Sequence, residues 1–116
     1  IGVNSQKKRT FSSDFMTEAI SQTFKEYPTV KVICYDELTA HFAKKTEANY
    51  ILRGVRNMID FEYENSISQA NKYIYNELET VFLITSPHLS FISSTIVREL
   101  YKYGEDVSNL IPYKLP

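Results

Sequence analysis

The sequence predicts an α/β fold: a parallel sheet with helices on both faces. Three observations point there. Short apolar or β-branched runs alternate with stretches of helical periodicity, in the order βα-βα-βα-βα, which is the pattern of crossover units in a parallel sheet. Punctuating residues stand at the joints, among them Ser12, Pro28, Asp36, Gly54, Ser86-Pro87 and Gly104. The composition, 43% hydrophobic and 23% charged over 116 residues, is that of a chain with a core,. Length predicts a single domain over residues 1–116,.

The elements follow in order. Residues 1–4 read as the end of a strand, opening on apolar Ile1-Gly2-Val3 without a Met, as a chain entered in mid-strand would. Residues 5–11 form a polar, basic loop. Ser12 or Ser13 caps the first helix, with Asp14 in its first turn,. Met16, Ala19, Ile20, Thr23, Phe24 and Tyr27 then recur at helical spacing until Pro28 ends the run,. Residues 30–35 are β-branched and apolar, a second strand holding Cys34 as a buried packing residue,. Asp36 caps a second helix that buries Leu38, Phe42 and Ala43. Residues 49–52 are a third strand, closed by Gly54.

A long helix follows over residues 59–75. Its apolar stripe, Tyr63, Ile67, Ala70 and Ile74, is expected to face the core,. A polar stripe, Asp60, Glu64, Ser68 and Asn71, lies beside it,. Residues 79–85 are the fourth strand, ending at Ser86-Pro87. The last helix starts near Ser94, turns Ile96, Val97, Leu100 and Tyr101 inward, and stops at Gly104,. The tail, residues 107–116, is apolar enough to dock.

The bulk properties exclude several classes. A net charge of −1 calls for no broad nucleic-acid or membrane surface,. No apolar run approaches the ~20 residues of a membrane span, and no signal-peptide pattern opens the chain. One cysteine forms no intrachain disulfide, which fits a cytoplasmic setting,. His41 and His88 have no Cys, His or acidic partners at metal spacing, so the reading includes no protein-held metal,. An anion site, if present, is local.

In parallel sheets, ligands bind beyond the carboxyl ends of the strands, and four polar segments stand there: residues 4–9, 35–39, 53–56 and 86–95. Lys7-Lys8-Arg9 could meet phosphate or simply be a solvated loop. Arg53-Gly54-Val55-Arg56 offers two guanidinium forks around a residue that admits close backbone approach,. Residues 35–39 follow the second strand. Ser93-Ser94-Thr95 opens a helix, whose free N–H groups and dipole favour anions, with Arg98 one turn in,. Ordinary N-capping would account for one of those hydroxyls.

Four stretches together resemble a known family: E-T-V-F-L-I-T-S (residues 79–86), I-L-R-G-V-R-N-M-I-D-F-E-Y-E (51–64), S-F-I-S-S-T-I-V-R-E (90–99) and G-E-D-V-S-N-L-I-P (104–112). In order and spacing they resemble bacterial phosphopantetheine adenylyltransferase, over nearly the whole chain. The resemblance implies a Rossmann-like nucleotidyltransferase fold and transfer of AMP from ATP to 4′-phosphopantetheine, giving dephospho-CoA and pyrophosphate in coenzyme A biosynthesis. It also implies Mg2+ with ATP, dephospho-CoA or CoA as product ligands, and a hexamer.

Carried residue by residue, it assigns Lys7, Thr39, Arg53 and Asn71 to the phosphopantetheine substrate. It assigns Gly54, Val55, Arg56 and Glu64 to ATP, together with Leu89, Ser90, Phe91, Ile92, Ser93, Ser94 and Thr95. The family's opening strand and its T-x-G-H element have no counterpart, so no catalytic histidine is assigned. Leu89 stands where the family often has an aromatic beside adenine. Two alternatives stay open: another nucleotidyltransferase, such as one adenylating nicotinamide mononucleotide, and a non-catalytic nucleotide- or CoA-binding module.

Overall fold

The computed structural model describes residues 1–3 and 9–116. Helix α1 spans Ser13–Thr23, α2 Thr39–Lys45, strand β1 Tyr50–Val55, α3 Met58–Ile74, β2 Glu79–Ile84 and α4 Ser94–Lys102, with a 3-10 turn at Pro87–Leu89. The described residues group into two compact units, Glu37–Phe91 and Ile1–Asp36 with Ile92–Pro116.

In Glu37–Phe91, β1 and β2 lie parallel, from Tyr50 opposite Glu79 to Val55 opposite Ile84. Parallel strands need a long crossover, and α3 supplies it. Leu78, just before β2, is 2% exposed and packs with Ala40 and Ala43 of α2, edged by Ala48, Ile51 and Tyr75. Burying one such leucine side chain stabilises by about 1.5–3 kcal/mol. The ladder continues to Val55, so Arg53, Gly54 and Val55 belong to the strand rather than to a turn after it.

Helix α3 corrects a sequence expectation. Its apolar row is exposed: Tyr63 by 66%, Ile67 by 38% and Ile74 by 39%, with Ala70 alongside. The half-buried row is Asp60, Phe61, Glu64, Ser68 and Asn71. Bonds to the sheet explain this choice. Phe61 meets Phe82 of β2 edge-on at 5.3 Å between ring centres, Glu64 pairs with Arg53 of β1, and Lys72 pairs with Glu79 of β2.

In the other unit, Ser12 caps α1, accepting from the Phe15 N–H at 3.1 Å. The helix ends at Thr23, short of the expected Tyr27; Pro28 steers only Tyr27 out of the helical region. Phe24 and Tyr27 are consequently exposed. The two strands expected at residues 1–4 and 30–35 reduce, among the described residues, to one parallel bridge between Gly2 and Tyr35. Two hydrogen bonds hold it: Val3 N–H to Tyr35 O at 2.6 Å, and Tyr35 N–H to Ile1 O at 3.0 Å. A β-branched run becomes a strand only where a neighbour takes up its backbone groups.

Cys34, expected inside, is exposed and lies 3.1 Å from Thr17 Oγ1. Asp36 does not cap α2; Leu38 does, without a side-chain bond, and is 58% exposed instead of buried. Ser93 caps α4, Val97 is its buried residue, and Ile96 is 36% exposed rather than turned inward. Gly104 ends it at φ +82°, where glycine carries no steric penalty,.

Candidate functional site

The strand-end site of Glu37–Phe91 is built by alternation. Successive strand residues face opposite sides of a sheet, so Arg53 shares the α3 side with Ile51 and Val55. Arg53 donates from Nε to Glu64 Oε2 at 2.6 Å and from Nη2 to Glu64 Oε1. Its side chain is 49% exposed, whereas that of Glu64 is 13% exposed. The carboxylate is therefore set deep and the guanidinium reaches outward over it. Gly54 faces the opposite side, where an added Cβ would meet nothing within 4 Å.

Arg56 follows directly after β1, and Asn57 caps α3 by accepting from the Asp60 N–H at 2.9 Å. Asp60 in turn takes Arg56 Nε at 2.7 Å and Nη2 at 3.0 Å. The hydrogen bonds from Arg56 hold the Asp60 carboxyl below its ordinary range, and those to Asp60 raise Arg56.

The remaining candidates in this unit are spread out. Thr39 opens α2, half-buried. Asn71 is half-buried near the end of α3, and its carbonyl accepts from Tyr75 N–H at 2.9 Å. Leu89, Ser90 and Phe91 are exposed after β2, and Ser90 Oγ donates to Pro87 O at 2.8 Å. Lys7 lies outside the described residues.

The other unit carries Ile92, Ser93, Ser94 and Thr95, and here the three hydroxyls separate by role. Ser93 Oγ accepts from Ile96 N–H at 3.2 Å as the helix cap. Thr95 Oγ1 accepts from Arg98 Nη2 at 3.3 Å. Ser94 is exposed at the helix start. Ser93, Ser94 and Arg98 line a cavity of about 760 Å³ with Arg9 and the tail residues Ile111 and Tyr113. Arg9 is held by Gly2 O at 2.5 Å from Nη2. A helix start, two guanidinium groups and hydroxyl oxygens along one cavity suit a phosphate-bearing ligand.

Sequence reasoning did not single out the role of Asp60. The i,i+4 spacing from Arg56 is the signal that could have found it. It also left the tail's docking place open, although Ile111, Tyr113 and Leu115 alternate with Pro112 and Lys114 in the manner of an extended edge.

Magnesium binds mainly through phosphate oxygens and water, with one or two carboxylates at most. The described residues gather no group of three or more His, Cys, Asp or Glu suited to a metal ion.

Comparison with known proteins identifies the family. Residues 2–100 match the cytidylyltransferase-like family. The phosphopantetheine adenylyltransferase of Cytophaga hutchinsonii is 52% identical over 99% of this chain and 77% of its own length. That of Flavobacterium johnsoniae is 46% identical over 97% of this chain and 73% of its own. In Lachnoclostridium phytofermentans the enzyme of the same name is 42% identical over 97% of this chain and 70% of its own. With strand-end arginines, a hydroxyl-rich helix start and this degree of identity, the chain belongs to the phosphopantetheine adenylyltransferase family of the cytidylyltransferase-like nucleotidyltransferases.

Proposed function

We infer that this chain transfers AMP from ATP to 4′-phosphopantetheine, giving dephospho-CoA and pyrophosphate. One observation carries the reading: two arginines at the carboxyl end of β1, each already oriented by a carboxylate of α3, in a chain 52% identical to an enzyme of that name. An oxygen of the phosphopantetheine phosphate attacks the α-phosphorus of ATP, the new P–O bond forms, and pyrophosphate leaves. Such a step asks for positioning and charge neutralisation rather than a side-chain nucleophile. Arg53, with Thr39, Asn71 and Lys7, is assigned to phosphopantetheine. Gly54, Val55, Arg56, Glu64 and the residues 89–95 are assigned to ATP. Mg2+ bound to the triphosphate would add further charge neutralisation.

The match across residues 2–100 supports one nucleotidyltransferase domain running through both units. The exposed apolar row of α3, Ile59, Tyr63, Ile67, Ala70 and Ile74, supports self-association, read as a hexamer, since contiguous apolar surface marks interfaces. None of the described helices is long and apolar enough to cross a membrane; a cytoplasmic setting belongs to this proposal through the family resemblance.

The test is pyrophosphate release from ATP and magnesium with 4′-phosphopantetheine, run beside nicotinamide mononucleotide. Release with 4′-phosphopantetheine alone is expected. Arg56→Ala and Ser94→Ala should each raise the KM for ATP while leaving the melting temperature nearly unchanged. Preference for nicotinamide mononucleotide would overturn the substrate; binding of either ligand without turnover would move the chain to a non-catalytic nucleotide- or CoA-binding role.

A further inference from the structure

Arg56 stands in the two-residue step between β1 and α3, a place where a long side chain would ordinarily sample many rotamers. Here its direction is set by a short chain of contacts. Asn57 caps α3 and accepts from the Asp60 N–H at 2.9 Å, which fixes the first turn of the helix,. Asp60 then takes one edge of the guanidinium, Nε at 2.7 Å and Nη2 at 3.0 Å, and comes within 3.4 Å of the Arg56 backbone N–H. Both side-chain bonds use the Nε–Nη2 edge, so the Nη1 side of the fork is not engaged by the carboxylate. The pair is partly open to solvent, with side chains 32% and 26% exposed. A bond at such a place contributes little to stability, so its more telling effect is on orientation.

We propose that Asp60 is a positioning residue for nucleotide binding: it holds Arg56 side-on so that the opposite edge of the guanidinium meets the triphosphate of ATP. The proposal rests on the reading of Arg56 as an ATP-binding residue. Planar, bidentate recognition of phosphate depends on the angle of the fork as well as its charge. Losing Asp60 therefore leaves the cation in place but releases its direction.

The experiment measures equilibrium dissociation constants for magnesium–ATP and, separately, for 4′-phosphopantetheine, in the wild-type chain, Asp60→Asn, Asp60→Glu, Arg56→Lys and the double variant Asp60→Asn/Arg56→Lys. Asp60→Asn is expected to weaken ATP binding roughly 5- to 20-fold, within the usual range for coupled neighbours, while 4′-phosphopantetheine binding stays within twofold. The double variant should bind ATP no more weakly than the worse single variant, because both changes remove the same oriented fork. Asp60→Glu keeps the charge at a different reach and should fall between wild type and Asp60→Asn with an unchanged melting temperature; it carries the test if Asp60→Asn fails to fold. ATP binding unchanged in Asp60→Asn, equal losses for both ligands, or fully additive losses in the double variant would each overturn the proposal. A wild-type chain that binds neither ligand would overturn the functional reading itself, and this inference with it.

Discussion

The arginines of Glu37–Phe91 come with carboxylates attached, whereas the described arginines lining the cavity of the other unit bond to neutral oxygens. Arg53 and Arg56 are each gripped along one edge by Glu64 and Asp60. Arg9 and Arg98 hold Gly2 O and Thr95 Oγ1 instead. The difference separates two ways of preparing for an anion. A paired arginine gives up part of its net field in exchange for a fixed direction, because guanidinium geometry is read edge by edge. An arginine on a neutral oxygen keeps its full charge, and its direction comes from the backbone and helix around it. The first arrangement suits discrimination in angle; the second, beside a helix N-terminus, suits attraction.

The largest test of this contrast removes the frame of the first arrangement. Leu78→Ala deletes the buried leucine between α2 and the strands and is expected to cost about 2–5 kcal/mol in urea unfolding. A loss well under 1 kcal/mol would show that the Leu78 cluster does not anchor α2 to the strands. Next in size, Arg53→Ala removes the guanidinium proposed to hold the phosphopantetheine phosphate and leaves Glu64, 13% exposed, without its Arg53 partner. The KM for 4′-phosphopantetheine should rise roughly 10- to 100-fold, the scale of a hydrogen bond to a charged group. An unchanged KM would place that phosphate elsewhere.

A smaller effect separates the hydroxyls of α4. Ser93→Ala should destabilise by about 1 kcal/mol, since its oxygen caps the helix,. Ser94→Ala should change stability by no more than about 0.5 kcal/mol and act on ATP binding alone. Equal melting temperatures for the two variants would break that assignment. The smallest effect is in pH. Asp60 titrates below its ordinary value of 3.8 in the folded chain, chiefly through its hydrogen bonds to Arg56. A depressed carboxylate adds stability that is complete above the ordinary value and lost as pH falls through the folded one. Comparing wild type with Asp60→Asn, the difference in stability should be level from neutral pH to about pH 5 and shrink below pH 4. A difference that grows on acidification would contradict the pairing.

Much of the frame was legible in the residues. Ser12 as cap, the long α3, the strand at residues 79–84, the parallel direction and the stop at Gly104 all follow from local rules that need only neighbouring positions. The position of Arg56 just past the strand, and the helix start at Ser94, were legible for the same reason; Arg53, expected past the strand, lies within β1. The face of α3 was not. Periodicity predicted Tyr63, Ile67, Ala70 and Ile74 inward, yet the polar row faces the sheet. An apolar stripe identifies a surface that avoids water without saying what covers it. Glu64 of that row has its partner Arg53 eleven residues away on β1, and Lys72, beside the row, has Glu79 seven residues away on β2.

Strand assignment failed in the same way for residues 30–35. Their β-branched run gave the right local preference, but a ladder is a property of two segments, and among the described residues only Tyr35 finds a bridge partner. By itself, then, the order of amino acids determined the βα alternation from β1 to α4, most caps and stops, and the chemical class of groups placed near strand ends and helix starts. Those depend on backbone preferences and spacings of a few residues. Only the tertiary structure decided which face of α3 turns to the sheet, that Asp60 and Glu64 grip the two arginines, and that the tail lines a cavity with Ser93 and Ser94. Apart from the i,i+4 pair Arg56–Asp60, each of those depends on distances between residues far apart in sequence, which packing sets and local propensity does not.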